Sequence, residues 1–443
     1  MRLLFGYRRR MQAALSLLLS LTFSLVACRG GSFSGGKNYL AQPEPSESKI
    51  CGTVNLLATA FPAYDLAYSL LFSRLDAAGN LQKGQNPPLP LYFNLQLLGS
   101  GGDLHSYEPS LQDVNQMKRA DLIISIGLSA DYSLRRLKTE LQNEDAGKFW
   151  QLTQHVDLLP LTGNVSGQPA SKDEAEQLYD EHVWLSCKNQ VKLLTALSRR
   201  LQSLVEAKFP AYAEDFHKFI TKQLQERLQL WRNLDADYQR IIERAPLKTL
   251  IFADRFPLRY FCHDYQLKHY AAFNNCALSQ DPSMKTLLNL QNKVKETGSR
   301  IIFYTEYARP KLAAVVAADS YSITARQAAA LLHSQCRIDA RFCPEYRAID
   351  PSVAAADCPC NGPQEKAEPS RIKDAATDDR PINYIALWRS GHKVSLKELQ
   401  AGISMYDLLR ENLSLVQLAC NRLYDSVQLN LQPEARTSGN EGE

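Results

Sequence analysis

Short, mostly apolar runs stand at 54–60, 91–98 and 121–127, and polar turns and stretches with a three-and-four spacing separate them. Runs of that length suit strands, and in the third the isoleucines fall on both alternating faces, as in a parallel sheet. Strand and helix in alternation predict an α/β lobe. Helices are expected at 64–75 and at 111–120, the second opened by Ser110 as its N-cap. A different pattern follows. Between Pro210 and Pro246 there is neither Gly nor Pro, and Phe216, Ile220, Leu224, Leu228, Trp231, Leu234, Tyr238 and Ile242 recur at helical spacing. That stripe predicts one amphipathic helix of roughly 35 residues, about 50 Å long. It has no strict heptad and carries tyrosine and tryptophan, unlike a coiled-coil seam. Beyond it the strand–helix alternation resumes: strands at 247–253 and 300–304, helices at 283–297 and 406–423.

Length agrees with this division, because 443 residues exceed a usual single domain and imply two lobes. The predicted fold class is α/β: two lobes with central, mostly parallel sheets. The expected boundaries are 51–207 for the first lobe, 208–246 for the linking helix and 247–430 for the second lobe. A polar segment at 354–381, rich in Ala, Asp, Pro, Glu and Lys, reads as an inserted loop, and 431–443 as a disordered tail.

Charge changes the picture only at the N-terminus. The formal net charge is +4, but residues 1–27 hold Arg2, Arg8, Arg9 and Arg10 and no acid, leaving 47 basic and 47 acidic residues in the remainder. That balance gives no footprint for a nucleic-acid partner. A basic start followed by an apolar run to Ala27 is the pattern of a signal peptide, too short for a membrane-spanning helix. Leu25-Val26-Ala27-Cys28 has the form of a bacterial lipobox, in which Cys28 would be lipidated and become the new N-terminus. Residues 28–50 have a Gly/Ser/Pro-rich tether composition. The expected location is therefore extracytoplasmic, anchored to the cell membrane by lipid.

Candidate chemistry centres on two histidines. Gly101-Gly102-Asp103-Leu104-His105-Ser106-Tyr107-Glu108-Pro109-Ser110 places His105 on a turn between a strand and a helix. His182 stands in Asp180-Glu181-His182-Val183-Trp184-Leu185-Ser186, again just ahead of a helix. Imidazoles on loops between regular elements suit a divalent ion of borderline softness.

The flanking words carry a resemblance. LLGSGGDLHSYEPSLQDVNQMKRADLIISIG (97–127) and DEHVWLSCKNQVKLLTALSRRL (180–201) resemble the zinc- and manganese-binding solute-binding lipoproteins of ABC importers, the cluster A-I receptors. The likeness extends from about residue 60 to about 415. It implies a ligand site in the cleft between the lobes, one long rigid helix bridging their backs, and small lobe motions. It also implies His105 and His182 as ligands, with the membrane permease of an ABC importer as partner. In that family a third ligand sits at the end of the first strand of the second lobe. An ungapped alignment on Tyr260-Phe261 puts Arg255 there, so Asp254, one residue earlier, is the competent candidate. The alternative for Asp254 is an ion pair with Arg255 or Arg259. Tyr346-Arg347-Ala348-Ile349-Asp350-Pro351 resembles the segment that supplies the fourth ligand, making Asp350 the fourth choice. Glu306 is a reserve ligand, and His263 and His269 are expected to be structural.

The expected cargo is Zn2+, with Mn2+ as the alternative, and an adhesive surface lipoprotein remains a further reading. No H-E-x-x-H word is present, and only Glu108 and Glu181 could serve as general bases, so no enzyme is expected. Of ten cysteines, Cys336, Cys343, Cys358 and Cys360 border or enter the 354–381 segment, where disulfides are expected in an exported chain. Cys187 and Cys420 are candidates for a free thiol.

Overall fold

The computed structural model describes residues 50–76, 81–84, 86–98, 107–144, 147–161, 178–273, 282–306, 310–322 and 384–420. Cys28, His105, Asp350, the four cysteines 336, 343, 358 and 360 and the 354–381 segment lie outside them.

Two four-stranded sheets organise the chain. The first has the order β4-β1-β5-β6, from β1 (Gly52–Ala58), β4 (Leu91–Leu97), β5 (Leu122–Ser125) and β6 (Phe149–Gln151). Every pairing in it is parallel. Its inner strands are apolar on both faces because helices cover both: α1 (Phe61–Leu71), α2 (Leu111–Arg119), α3 (Arg135–Glu144) and α4 (Cys187–Lys208). The expected helix at 64–75 is shifted. Pro62 starts it earlier, at a first-turn position where proline lacks nothing the helix would use. Its expected last turn is instead β2 (Ser73–Leu75), paired antiparallel with β3 (Leu81–Lys83).

The second sheet has the order β10-β9-β7-β8. It is built from β7 (Thr249–Arg255), β8 (Lys268–Phe273), β9 (Ile301–Thr305) and β10 (Tyr384–Trp388), all parallel. Helices α6 (Arg259–Asp264), α7 (Met284–Thr297), α8 (Lys311–Ser320), α9 (Leu396–Ala401) and α10 (Met405–Cys420) accompany it. Both sheets share one plan: the chain starts on an inner strand, moves to one side, then returns to the other. Such a reversal opens a crevice at the carboxyl ends of the inner strands, where α/β sheets take ligands.

Helix α5 (Ala213–Glu243) joins the two, at 31 residues about 46 Å long. Its buried positions are Phe216, Ile220, Arg227, Trp231, Leu234, Tyr238 and Ile242. The first half packs on the first lobe, with Phe216 stacked on Phe93 at 5.2 Å. Arg227 is buried there and donates from Nε to Ser69 O (3.1 Å) and from Nη2 to Ser73 O (2.7 Å), at the carboxyl end of α1. A cation there also complements the helix dipole. The second half belongs to the other lobe: Trp231 meets Tyr406 edge-on at 5.5 Å, and Tyr238 meets Phe261 edge-on at 4.9 Å. The Tyr238 hydroxyl donates to Leu409 O. Among the described residues no helix is long and apolar enough to cross a membrane.

Candidate metal centre

His182 begins the short 3-10 turn Val183–Leu185, held from behind by the first turn of α4. Ser186 caps that helix by accepting from Asn189 N (3.0 Å). Asn189 and Gln190 in turn donate to the carbonyls of Val183 (3.1 Å) and Trp184 (2.9 Å). The imidazole is buried, 3% exposed. Its Nδ1 lies 2.7 Å from Asp180 Oδ1, which also accepts from the His182 backbone N–H at 2.8 Å. A carboxylate accepts, so the Nδ1 proton sits on that bond and Nε2 carries the lone pair. Metal-binding imidazoles are commonly oriented this way.

Asp180 is itself held by the second lobe. Arg259 Nε approaches its Oδ2 at 3.5 Å, and Tyr260 donates its hydroxyl to Asp180 O at 2.7 Å. The word at 254–261 thus buttresses the word at 180–186, and Arg259 reaches Asp180 where the sequence suggested Asp254. Tyr260 also accepts from Leu159 N at 3.2 Å, and Ser186 Oγ donates to Asp264 Oδ2.

Asp254 is buried, 2% exposed. Its Oδ2 accepts from Thr305 N (2.8 Å) and from the Thr305 hydroxyl, tying β7 to the end of β9. Burial raises its carboxyl above the usual range, opposed by the Thr305 bonds. The β7–β8 register shifts between Phe252 and Arg255. Such a bulge adds a residue to one strand and re-aims side chains, and an ungapped alignment cannot anticipate it.

Glu306 follows β9 and serves the loop after β10. Its Oε1 accepts from His392 N (3.1 Å) and Ser390 N (3.1 Å), and its Oε2 lies 3.0 Å from Ser390 N. Burial raises this carboxyl too. Glu181 accepts from Ser129 Oγ and is raised by burial, while Glu108 is exposed.

The strand beside β9 is Tyr384–Trp388, and its loop delivers a histidine that the sequence reading passed over. His392 is 5% exposed, and its ring centroid lies 4.6 Å from that of His182. Its Nδ1 is 2.6 Å from Ser390 Oγ. Trp184 packs against both rings, at 5.2 Å from His182 and 5.1 Å from His392, and donates its indole N–H to Ser390 O at 2.9 Å. A local signal was available. His392 sits between a strand and a helix opened by the Ser395–Glu398 capping box, the same setting as His105 and His182 ahead of Ser110 and Ser186.

Of the other histidines, His269 stacks on Phe256 at 3.8 Å, and the His263 side chain is 67% exposed beside Asp264. Among the described residues, no three His, Cys, Asp or Glu side chains come together as a metal cluster. Among the described residues, Cys187, Cys262 and Cys420 are buried thiols outside any disulfide.

A family model described as "ZnuA: Zinc-uptake complex component A periplasmic" matches residues 94–333. The zinc-binding lipoprotein AdcA of Streptococcus pneumoniae is 25% identical over 273 residues, 60% of this chain and 48% of that protein. The metal ABC transporter substrate-binding lipoprotein FimA of Streptococcus parasanguinis is 24% identical over 241 residues, 53% of this chain and 65% of FimA. The chain therefore spans about half the length of AdcA. Among solved structures, Zn(II)-bound AdcA from S. pneumoniae superposes with a TM-score of 0.52 at 18% identity, covering 84% of this chain and 58% of that one. The metal-dependent lipoprotein YcdH from Bacillus subtilis superposes with a TM-score of 0.51 at 16% identity, covering 83% and 99%. At those identities the likeness is one of fold.

Proposed function

The chain belongs to the ZnuA family of zinc-uptake components, and from that premise we propose that it is an extracytoplasmic receptor for zinc. It captures the ion between its lobes and hands it to the membrane permease of an ABC importer. The observation that carries this reading is the Asp180–His182 pair at the lobe seam. An imidazole is buried there with Nδ1 fixed on a carboxylate at 2.7 Å, and the second lobe braces that carboxylate through Arg259 and Tyr260.

His105 and His182 are the ligands we assign to the first lobe. Asp254 and Glu306 each commit carboxylate oxygen to backbone N–H groups, which supports giving them the rim of the cleft rather than the ion. Asp350 stays a candidate from the sequence. Two imidazoles with a carboxylate suit zinc or manganese, and the choice of zinc follows the zinc-uptake family model and the zinc-binding AdcA relatives. The reading involves capture and release, with no bond made or broken in a substrate. Anchoring rests on Cys28, whose lipid would hold the receptor beside its permease.

Protein isolated from metal-replete cells should carry a stoichiometric zinc ion removable by chelation. Manganese in its place, or no tightly held metal, overturns the proposal. Mass spectrometry of the membrane-bound form should find acylated Cys28 at its N-terminus, and a membrane-bound form without that modification removes the lipid anchor from the proposal.

A further inference from the structure

We propose that His392 is a ligand of the captured ion, so that His182 and His392 form an imidazole pair split across the lobe seam. The inference rests on the zinc-receptor reading and names a donor which that reading does not. Its starting point is the placement of the two rings. One stands after β6 in the first lobe and the other after β10 in the second, yet their centroids are 4.6 Å apart. Two imidazoles sharing one tetrahedral ion, with Zn–N near 2.0–2.1 Å, bring their centroids to roughly 5 Å. The observed spacing therefore meets the requirement with a shift of a few tenths of an ångström.

The polar surroundings of the two rings correspond. His182 directs Nδ1 at Asp180 Oδ1, His392 directs Nδ1 at Ser390 Oγ, and the Nε2 atoms of both are buried. The Asp180 carboxylate requires the proton on His182 Nδ1 and the Ser390 hydroxyl can accept one from His392 Nδ1, and in that tautomer Nε2 of each ring is the donor toward an ion. A pair serving only to pack the lobes would need neither oxygen, and carbon side chains would fill the same space without polar atoms to satisfy.

The loop bearing His392 is also built as a rigid support. Glu306 accepts from the backbone N–H of both Ser390 and His392. Asn412 brackets Arg389, accepting from its N–H at 3.1 Å and donating to its carbonyl at 2.7 Å. Arg389 is paired with Glu398 at 2.7 Å, which keeps its charge on the α9 side of the loop. Ligand positions need support of this kind, since a donor loose by an ångström loses much of its affinity. Two neutral nitrogens at the centre also define the cargo class: a borderline divalent ion such as zinc, in preference to oxygen-seeking Mg2+, Ca2+ or Mn2+.

The test uses the full chain stripped by chelation, with Zn2+ competed against a chromophoric chelator and Co2+ as a spectroscopic probe. His392→Gln should weaken Zn2+ binding about a hundredfold or more, roughly 2.7 kcal/mol, with the apo melting curve close to the parent's. His392→Cys should retain binding and give the Co2+ complex a thiolate charge-transfer band in the near ultraviolet, which requires residue 392 to touch the metal. This second variant decides the matter should the glutamine form fold poorly. If the parent binds Zn2+ and His182→Gln loses it, while His392→Gln stays within about threefold and the cysteine form shows no band, this inference falls and the receptor reading stands. If the parent itself binds no Zn2+, both fall.

Discussion

Gly391 holds the loop of His392 in a conformation that a side chain opposes twice over. Its φ is +76°, in the left-handed region, and a Cβ there would run into Met405 Sδ and come within 3.1 Å of Met405 Cε. Met405 is fully buried and opens α10, so its flexible thioether end can yield only by repacking among its core neighbours. For Gly391→Ala the backbone cost is about 1–2 kcal/mol, and overpacking adds about 1–3 kcal/mol. The variant should therefore lose roughly 2–5 kcal/mol of stability, measured by equilibrium urea unfolding with tryptophan fluorescence. The two contributions separate in a double-mutant cycle. Met405→Ala empties the space the new methyl needs, so the pair should couple favourably by about 1–3 kcal/mol, while the backbone cost stays. Zn2+ affinity of the single variant should fall as well, because His392 is the next residue. A loss of stability below about 0.5 kcal/mol, or two costs that simply add, would refute the account of this loop.

Two further outcomes are expected. Arg227→Met should destabilise by about 2–4 kcal/mol: two charge-assisted bonds to carbonyls are lost, but Ser69 O keeps the Ser73 hydroxyl as a donor, so chiefly Ser73 O is stranded; no change in the urea midpoint would show the guanidinium to be dispensable. His269 is pushed down to about 4 by burial, with Arg259 adding to the effect, so the unfolded chain binds the proton more readily. Its contribution to stability is present above about pH 6.5 and lost as pH falls toward 4. His269→Phe keeps a ring against Phe256 and cannot charge, so its stability should drop less between pH 7.5 and 5; an equal drop in both proteins would contradict the assignment.

Much of this molecule is written locally. The α5 stripe is legible because helical periodicity depends only on residues three and four apart, and 31 residues repeat the signal many times. Strands were legible as short, mostly apolar runs, and Ser110 as a cap because its partner, Asp113, is three residues away. His182 could be picked out by the sequence because its setting, Asp180 to Ser186, is a continuous word. What failed to show depends on residues distant in the chain. The end of α1 is cut short by a hairpin partner at Leu81–Lys83, and the environment of Asp254 is set by Thr305, 51 residues on. The work of Glu306 lies 84 and 86 residues away, at Ser390 and His392. His392 shares the local setting of a strand before it and a capped helix after it, but only the folding of β10 against β9, with α5 bridging the lobes, sets it beside His182. Local propensity determines which segments become strands and helices, but the meaning of a histidine is the set of atoms it faces, and long-range packing alone selects that set.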